Sequence, residues 1–389
     1  MELKELSKPS FPQLCWEEKG GQQSAHWRSE SGAPLPRRVR VVDDTLTADA
    51  AYRLSCEGTA LLWRGDFQNA RQLLQAMARR FDRKPFSSGK PSPDFPEAFH
   101  LKRMTQAQRS RILGMLLIPV EAGHTVALRR APDVQQACLE AYGVADAPYV
   151  VSLRELQGVI GAHEWRKKGV LIAELGSERI CPHYGVFSPI RGEYVALVAQ
   201  APLPAAVATN SLAFDIGTGT GVLAAILARR GIQRIVATDT SERALTCARE
   251  NIGRLGLSDR IHLGECDLFP AGRASLIVCN PPWLPGKANS LLEHAVYDPD
   301  SRMLRGFLSG LAAHLEPGGE GWLILSDLAE HLKLRSREML MEWIERAGLV
   351  VLGRQTTRPA HGKAYDPTDP LHAARILETT SLWRLGVKA

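Results

Sequence analysis

An apolar strand that runs directly into a glycine-rich turn constrains the fold of this chain more than any other feature. Residues 213–216 read Ala-Phe-Asp-Ile, and residues 217–221 read Gly-Thr-Gly-Thr-Gly. The apolar run 222–228 that follows predicts a helix. A strand, a glycine turn and a helix in this order bring bare backbone close to a ligand. The sequence therefore predicts an α/β domain with a ligand site at this turn.

The spacing of the glycines excludes two common kinds of nucleotide site. The dinucleotide pattern G-x-G-x-x-G, started at Gly217, requires a glycine at the position that Val222 occupies. No lysine follows the turn, so the phosphate loop G-x-x-x-x-G-K-[ST] is also absent. The turn therefore suits a ligand that needs close backbone approach but carries no pyrophosphate.

Polar residues follow three further predicted strands. Asp239 ends the second strand, where an acid in a doubly wound sheet can accept both hydroxyls of a ribose. Asp267 follows the third strand and could accept an adenine amino group. The fourth strand leads into the motif Asn280-Pro281-Pro282-Trp283. Ligands of open α/β sheets bind at the carboxyl ends of the strands, so we expect these residues to line one crevice.

In these motifs the chain resembles the class I S-adenosylmethionine-dependent methyltransferases, in their methyltransferase small-domain branch. That branch includes the release-factor glutamine and the ribosomal-RNA guanine methyltransferases. The resemblance covers residues 165–389 and implies a doubly wound, seven-stranded Rossmann-like core with a reversed last strand. It implies S-adenosyl-L-methionine as the cofactor, bound by Asp215, Gly217, Thr218, Gly219, Gly221, Asp239, Thr240, Asp267, Leu268 and Asn280. It implies an acceptor motif formed by Asn280, Pro281, Pro282 and Trp283.

The acceptor motif suits methyl transfer to a planar nitrogen. The lone pair of an amide or aryl amine is delocalised, so the nitrogen is a poor nucleophile until it is held in a more pyramidal geometry. The Asn280 side-chain oxygen and the Pro281 carbonyl could each accept one N–H of that nitrogen. Trp283 offers a flat face on which a base or amide could stack, although it could equally fill the core.

The remainder of the chain predicts three regions. Residues 1–36 are rich in Ser, Gly, Pro and Gln, which predicts an extended or disordered arm. Residues 37–165 predict a mainly helical accessory domain for substrate recognition, followed by a β-hairpin near residues 170–182. Residues 166–389 form the predicted catalytic domain.

Charge and cysteine usage narrow the class of protein. The net charge is +6, and residues 64–130 hold 13 basic and 5 acidic residues. A basic patch there would suit an RNA backbone, whereas a solvated helix face is the alternative. The seven cysteines are scattered and form no C-x-x-C pair, which predicts a reducing cytoplasm and no metal site. No signal peptide or membrane-spanning run is recognisable.

Three functions remain open at this stage. The first is an RNA N-methyltransferase that acts on an exocyclic amine of guanine or adenine. The second is a protein glutamine or small-molecule N-methyltransferase, which the same Asn-Pro-Pro chemistry would serve. Relatives that methylate glutamine usually end the motif in tyrosine, so Trp283 departs from them. The third is a non-catalytic binding module, which the intact Asp215, Asp239 and Asn280 argue against.

Overall fold

The computed structural model describes residues 11–83, 95–190, 192–288, 292–359, 365–367 and 369–388. The chain divides into two compact units. In the described residues, the first unit consists of 11–83 and 103–163, and the second of 95–102 and 164–388. The predicted start of the catalytic domain, residue 166, lies close to Glu164, where the chain returns to the second unit.

The first unit contains a six-stranded mixed sheet with strand order β1-β2-β6-β5-β4-β3. Its strands are β1 Gln13–Glu18, β2 Gly21–Trp27, β3 Arg38–Val42, β4 Thr59–Trp63, β5 Leu116–Val120 and β6 Tyr149–Ser152. The helices of this region are α1 Ala48–Cys56, α2 Phe67–Arg83, α3 Phe95–Leu113, α4 Gln135–Tyr142 and α5 Leu153–Lys168. Residues 95–102 of α3 group with the second unit.

The prediction of an extended or disordered arm is wrong for the described part of residues 1–36. Strands β1 and β2 pair antiparallel as a hairpin, with Gln13 opposite His26. Leu14 and Trp16 are buried while their neighbours along the strand are exposed, which is the alternation of a half-buried strand. Because the segment is polar overall, the alternation of apolar and polar residues over this short strand was not recognised as a strand signal. Residues 1–10 of the predicted arm lie outside the described residues.

The expected helices are present, but the prediction of a mainly helical accessory domain missed the sheet on which they lie. Asp66 caps α2, since its Oδ1 accepts the Gln68 N–H at 2.8 Å. Ser152 caps α5, since its Oγ accepts the Glu155 N–H at 3.1 Å. Strands β4, β5 and β6 are short apolar runs buried on both faces, and such runs cannot be distinguished from helix by periodicity.

The second unit contains the predicted seven-stranded sheet, with strand order β11-β10-β9-β12-β13-β15-β14. Strand β15 pairs antiparallel with both β13 and β14, so the last strand is reversed as predicted. The predicted hairpin before the core is also present as β7 and β8. The strands are β7 Val170–Ile172, β8 Glu178–Ile180, β9 Leu212–Ile216, β10 Arg234–Asp239, β11 Ile261–Glu265, β12 Ala274–Cys279, β13 Leu315–Ser326, β14 Leu349–Thr357 and β15 Thr380–Val387.

Helices cover both faces of this sheet, which confirms the doubly wound prediction. Successive residues of β9 enter two different apolar clusters: Ala213 packs with α6 and α8, and Phe214 with α10 and α12. The helices are α6 Glu193–Gln200, α7 Ala206–Thr209, α8 Val222–Arg229, α9 Glu242–Arg254, α10 Arg302–His314, α11 Leu328–His331, α12 Arg337–Arg346 and α13 His372–Arg375. Among the described helices, none is both long and apolar enough to cross a membrane.

Candidate active site

The strand register brings the predicted site residues to one edge of the second unit's sheet. Cys279 of β12 lies opposite Ile216 of β9, so Asn280 and Gly217 leave neighbouring strands side by side. On the other side of β9, Thr238 of β10 lies opposite Ile216. The glycine turn, the end of β10 and the Asn-Pro-Pro-Trp motif therefore share the carboxyl edge, where open α/β sheets bind ligands.

Hydrogen bonds fix the glycine turn to the end of β10. The backbone N–H groups of Gly217 and Thr218 donate to the Thr238 carbonyl at 2.9 and 2.8 Å. The Gly219 N–H donates to Asp239 Oδ2 at 3.0 Å. All three glycines of the turn have positive φ, at 71°, 55° and 81°, a region that residues with a Cβ rarely adopt. The turn is therefore held in one conformation that its glycines make possible.

The three glycines have different surroundings. A Cβ added to Gly219 would meet no heavy atom within 4 Å, so this residue faces open space. A Cβ on Gly221 would lie 3.3 Å from Ala248 Cβ, so Gly221 allows close packing of α9 against the turn. A Cβ on Gly217 would lie 2.6 Å from Met303 Cε. Of the three, Gly219 is the one whose backbone a ligand can approach directly.

These surroundings predict how Met303 affects the stability of the Gly217→Ala and Gly219→Ala variants. Gly217→Ala and Gly219→Ala should each cost about 1–2 kcal/mol of unfolding free energy from the left-handed backbone. Gly217→Ala should cost a few tenths of a kcal/mol more at most, on the order of one displaced methyl contact, because its methyl group meets Met303 Cε, the end of a flexible side chain that can shift. Met303→Ala should recover that extra cost in the Gly217→Ala background and recover nothing beside Gly219→Ala, as urea unfolding of the double mutants would measure. Equal recovery in both backgrounds would contradict the contact.

Asp215 supports the turn from inside the protein rather than facing a ligand. Its side chain is buried, and its Oδ2 accepts both the Thr218 hydroxyl at 2.6 Å and the Ala224 N–H at 3.0 Å. The pKa of Asp215 is raised to about 6: burial is the main cause, the bonds from Thr218 and Ala224 oppose the rise, and the negative charge of Asp239 adds to it. The buried placement of Asp215 and Thr218 does not support direct ligand contact by their side chains.

The raised pKa of Asp215 predicts a pH-dependent stability. The folded protein binds this proton more tightly than the unfolded chain, whose Asp pKa is near 3.8, so stability should fall as pH rises from 4 to 6 and level off above. Asp215→Asn keeps an oxygen for both donors but cannot ionise. The stability of this variant relative to wild type should therefore improve by on the order of 1–3 kcal/mol between pH 4 and pH 7 in urea titrations. Parallel pH profiles would contradict this.

Asp239 lies partly buried beside the turn. Its Oδ1 accepts the Ser241 N–H at 3.0 Å while Oδ2 accepts the Gly219 N–H. Burial raises the pKa of Asp239, and the backbone N–H bonds oppose that rise. Each carboxylate oxygen still has lone-pair capacity for a ligand hydroxyl. The neighbouring Thr240 is exposed.

Asp267 and Leu268 follow β11 at the same edge. Asp267 Oδ2 forms an ion pair of 2.5 Å with Arg302 Nη2, and both side chains are exposed. Leu268 has a φ of 74°, and its carbonyl accepts the Thr238 hydroxyl at 2.7 Å. A left-handed leucine is strained, and residues of this kind cluster at functional sites. Arg302, the partner of Asp267, was missed by the sequence analysis.

The start of α10 is fixed beside the glycine turn by a buried aspartate. Asp298 is buried, and its Oδ1 and Oδ2 accept the N–H groups of Met303 at 3.0 Å and Leu304 at 3.1 Å. Asp300 and Ser301 adopt left-handed conformations with φ of 53° and 52°. The sequence predicts a substrate-contacting loop over residues 284–300, but the capping role of Asp298 was not predicted. An aspartate shortly before an apolar helix was the available signal.

In the acceptor motif, Trp283 holds Asn280. The Trp283 indole N–H donates to Asn280 Oδ1 at 2.9 Å, and the partly buried ring packs against the apolar clusters on both faces of the sheet. Both predicted roles of Trp283, as a stacking face and as core filling, omitted this bond. An amide oxygen has two lone pairs, so Asn280 Oδ1 can accept a second hydrogen bond. Pro281 is buried and Pro282 partly buried.

Part of the basic region 64–130 is paired with carboxylates within the first unit. In the described residues, five of its arginines form such pairs: Arg64 with Glu18, Arg80 with Asp49, Arg109 with Asp82, and Arg129 and Arg130 with Asp66. These pairs reduce the positive charge available to an RNA backbone. In the part of the chain that the structure describes, no three His, Cys, Asp or Glu side chains are grouped to hold a metal ion.

Comparison with known proteins identifies the family of the second unit. The profile of the family described as "Methyltransferase small domain" matches residues 178–348. The release factor glutamine methyltransferase of Cereibacter sphaeroides is 37% identical over 119 residues, which are 27% of this chain and 43% of that protein. Ribosomal RNA small subunit methyltransferase C of Alcanivorax borkumensis is 30% identical over 190 residues, 48% of this chain and 52% of that protein.

Other relatives are matched over different lengths. The crystal structure of the ribosomal protein L11 methylase of Lactobacillus delbrueckii superposes with a TM-score of 0.36 at 18% identity, covering 55% of this chain and 87% of that one. The chain spans about half the length of the two relatives described above.

The release factor glutamine methyltransferase of Xylella fastidiosa is 30% identical over 219 residues, 51% of this chain and 76% of that protein. With the profile match, this coverage shows that the chain belongs to the methyltransferase small-domain family.

Proposed function

We propose that the protein is an S-adenosylmethionine-dependent N-methyltransferase that methylates a planar nitrogen of RNA. The observation that carries this proposal is the position of Asn280 beside Gly217 on neighbouring strands. It places a hydrogen-bond acceptor for the substrate nitrogen next to the turn that would hold the methyl donor. The alignment of two reactants in this way is a large part of what an enzyme contributes to a transfer reaction.

The residues at the carboxyl edge fit S-adenosylmethionine. Gly219 faces open space, Asp239 can accept the two ribose hydroxyls, and Asp267 can accept the adenine amino group. Asp215 and Thr218 would fix the turn from behind, and Gly221 would seat α9 against it. When bound, the cofactor supplies an electrophilic methyl group on a sulfonium.

The acceptor motif would prepare the nitrogen. Asn280 Oδ1 accepts one N–H through its second lone pair, and the Pro281 carbonyl accepts the other, so the nitrogen lone pair turns away from the planar system. The Trp283 indole N–H prevents the Asn280 amide from rotating its NH2 group into this position. Proline has no N–H, so its carbonyl remains available to the substrate. No strong base is required.

RNA is the acceptor that several observations favour. Two relatives carry RNA in their names, the ribosomal RNA small subunit methyltransferase C of A. borkumensis and the tRNA1(Val) (adenine(37)-N6)-methyltransferase of Bacteroides thetaiotaomicron, which is 32% identical over 136 residues. The chain has a net charge of +6, which favours a polyanionic partner. In this proposal the first unit recognises the acceptor, and the protein works in the cytoplasm, as its free cysteines suggest.

A protein glutamine amide is the second candidate acceptor. It is favoured by the release factor glutamine methyltransferases of C. sphaeroides and X. fastidiosa among the relatives. The Asn-Pro-Pro geometry would serve an amide as well as an aryl amine, since both nitrogens are planar. The acceptor motif therefore does not by itself distinguish the two.

The experiment that separates these acceptors follows the methyl group. The protein is incubated with methyl-labelled S-adenosylmethionine and with the RNA, protein and metabolite fractions of a strain that lacks it. We expect label in RNA with the wild-type protein and a loss of that label with Asn280→Ala. Label in the protein fraction alone would refute the RNA proposal and support the glutamine alternative.

A further inference from the structure

Backbone hydrogen bonds join the two described ends of the loop that follows the acceptor motif. Leu284 comes directly after Trp283, and its N–H donates to the Val296 carbonyl at 3.1 Å. The Asp298 N–H donates to the Leu284 carbonyl at 2.8 Å. Leu284 and Asp298 are both buried. Asp298 is thus tied by a backbone bond to the residue that follows the acceptor motif.

The Asp298 carboxylate connects this loop to the first turn of α10. Its two oxygens accept the N–H groups of Met303 and Leu304. Between them lie Asp300 and Ser301, whose left-handed backbones are unfavourable for residues with a Cβ. Strained residues of this kind occur in switch regions as well as in active sites. The position of the first turn of α10 therefore depends on the two Asp298 bonds and not on a relaxed backbone.

The first turn of α10 contacts both predicted cofactor elements. Met303 Cε lies 2.6 Å from the position that a Cβ on Gly217 would take. Arg302 Nη2 forms the ion pair of 2.5 Å with Asp267 Oδ2. Gly217 follows β9, Asp267 lies shortly after β11, and β10 lies between these strands. Neighbouring strands are about 4.8 Å apart, so the contacts of α10 span about 10 Å of the cofactor edge.

Two glycines of α10 bring the helix close to the segment that carries Asp267. A Cβ on Gly306 would lie 2.6 Å from Leu268 Cδ1, and a Cβ on Gly310 would lie 2.6 Å from Phe269 Cε2. Residues four apart share one face of a helix, so both glycines lie on the face that carries residue 302. The sequence of α10 thus permits close contact with the cofactor side along two further turns.

We propose that Asp298 positions the first turn of α10 so that the cofactor and the methyl acceptor bind cooperatively, each raising the affinity for the other. This inference rests on the proposed function, because it takes the cofactor to lie at the glycine turn and the acceptor at the Asn-Pro-Pro-Trp motif. An acceptor in the motif orders Leu284 and with it Asp298. The cofactor orders the other end of the same connection through Met303 and Arg302.

The coupling follows from the shared connection. The ligand that binds second finds the first turn of α10 already ordered, so it loses less conformational entropy on binding. The factor by which one ligand raises the affinity for the other must be the same in both directions. Asp298 acts through α10 and not on the reacting atoms, so it is a positioning residue.

The first test needs no acceptor. Hydrogen exchange of the Leu284 and Asp298 amides is followed by NMR with and without saturating S-adenosylhomocysteine. We expect this ligand to slow exchange at both amides about 5- to 50-fold in the wild type, although they lie on the acceptor side of the connection. If S-adenosylhomocysteine binds and leaves both amides unprotected, the inference is overturned and the proposed function stands.

Two variants interrupt the connection at different points. Asp298→Asn offers one acceptor oxygen to two N–H donors, and the protection of the Leu284 amide should fall below about 2-fold. This variant should also be less stable, because the charge of Asp298 favours the charged form of the buried Arg335 and opposes the lowering of its pKa. Met303→Ala keeps Asp298 but removes the contact with Gly217, and it should lose about half of the protection.

Ser336→Ala is the matched control for the loss of a helix cap. Ser336 Oγ accepts the Met339 N–H at 3.1 Å at the start of α12, which is the same kind of bond. Ser336→Ala should therefore lower stability but leave the protection by S-adenosylhomocysteine unchanged. Equal loss of protection in Ser336→Ala and Asp298→Asn, or full protection in both Asp298→Asn and Met303→Ala, would overturn the inference.

The last test measures the coupling itself. The affinity for S-adenosylhomocysteine is determined by equilibrium dialysis with and without a saturating amount of the RNA fraction from a strain that lacks the protein. We expect RNA to raise this affinity about 5- to 50-fold in the wild type and no more than about 2-fold in Asp298→Asn. RNA that binds the wild type without changing this affinity would overturn the inference alone. Label transferred only to protein would overturn the RNA proposal, and the exchange test would then decide the coupling.

Discussion

Asn280→Ala should reduce methyl transfer about 100- to 1000-fold, the range observed when one oriented hydrogen-bonding group is removed from an active site. Without Oδ1, the acceptor nitrogen loses one of the two groups that turn its lone pair towards the methyl donor. The affinity for S-adenosylhomocysteine should fall by no more than a few-fold, because Asn280 is one of several expected cofactor contacts, and Asp239 and the glycine turn are unaffected. Single-turnover rates and calorimetry would measure the two quantities separately.

Trp283→Phe is the matched variant for this prediction. It keeps an aromatic ring in contact with both apolar clusters but removes the N–H that holds Asn280 Oδ1. We expect a smaller loss, about 10-fold, because the amide can still adopt the productive orientation but is no longer held in it. A larger loss of rate for Trp283→Phe than for Asn280→Ala would show that the Trp283 side chain, and not the Asn280 amide, makes the main contribution to methyl transfer.

Asp239→Ala should weaken binding of S-adenosylhomocysteine about 100-fold, the second large effect that we expect. The substitution removes the acceptor for the ribose hydroxyls and also the bond that fixes the Gly219 N–H. Two charge-assisted hydrogen bonds in a partly buried site are worth about this much. Isothermal calorimetry on the folded variant measures the change directly.

Asp267→Ala provides the comparison for Asp239. Asp267 stands at the same edge, but its side chain is 60% exposed and pairs with Arg302, which is also exposed. Exposed hydrogen bonds and ion pairs compete with water and salt, so the loss of affinity should stay below about 10-fold. If Asp267→Ala weakens binding more than Asp239→Ala does, the ribose assignment of Asp239 is wrong.

Local sequence patterns sufficed to predict the second unit. The first strands of the core, such as β9, β10 and β12, are short apolar runs with a polar or glycine residue at or just after their carboxyl ends, and the chirality of parallel connections leaves few ways to arrange such runs. The order of Asp215, Asp239, Asp267 and Asn280 along the chain therefore implied that they lie at or near the carboxyl ends of adjacent strands. The register of Cys279 opposite Ile216 confirms that Asn280 emerges beside the glycine turn.

The first unit was harder to interpret because its signals are weak or ambiguous. Its central strands are buried on both faces and show no alternation, so they resemble helix. Strand β1 of the hairpin alternates between buried and exposed residues, but it lies in a segment whose polar composition is also typical of disorder. The basic region 64–130 was visible in the sequence, whereas the carboxylates that pair with its arginines lie far away along the chain.

The sequence by itself determined the fold of the second unit and the edge of the sheet that carries the site, because both follow from local periodicity and from residues at strand ends. Only the tertiary structure decided how each side chain is used. It placed the Asp215 side chain in the interior and brought Arg302 to Asp267 and Met303 to Gly217. The contacts of Arg302 and Met303 join residues that are distant in sequence, which no local pattern encodes.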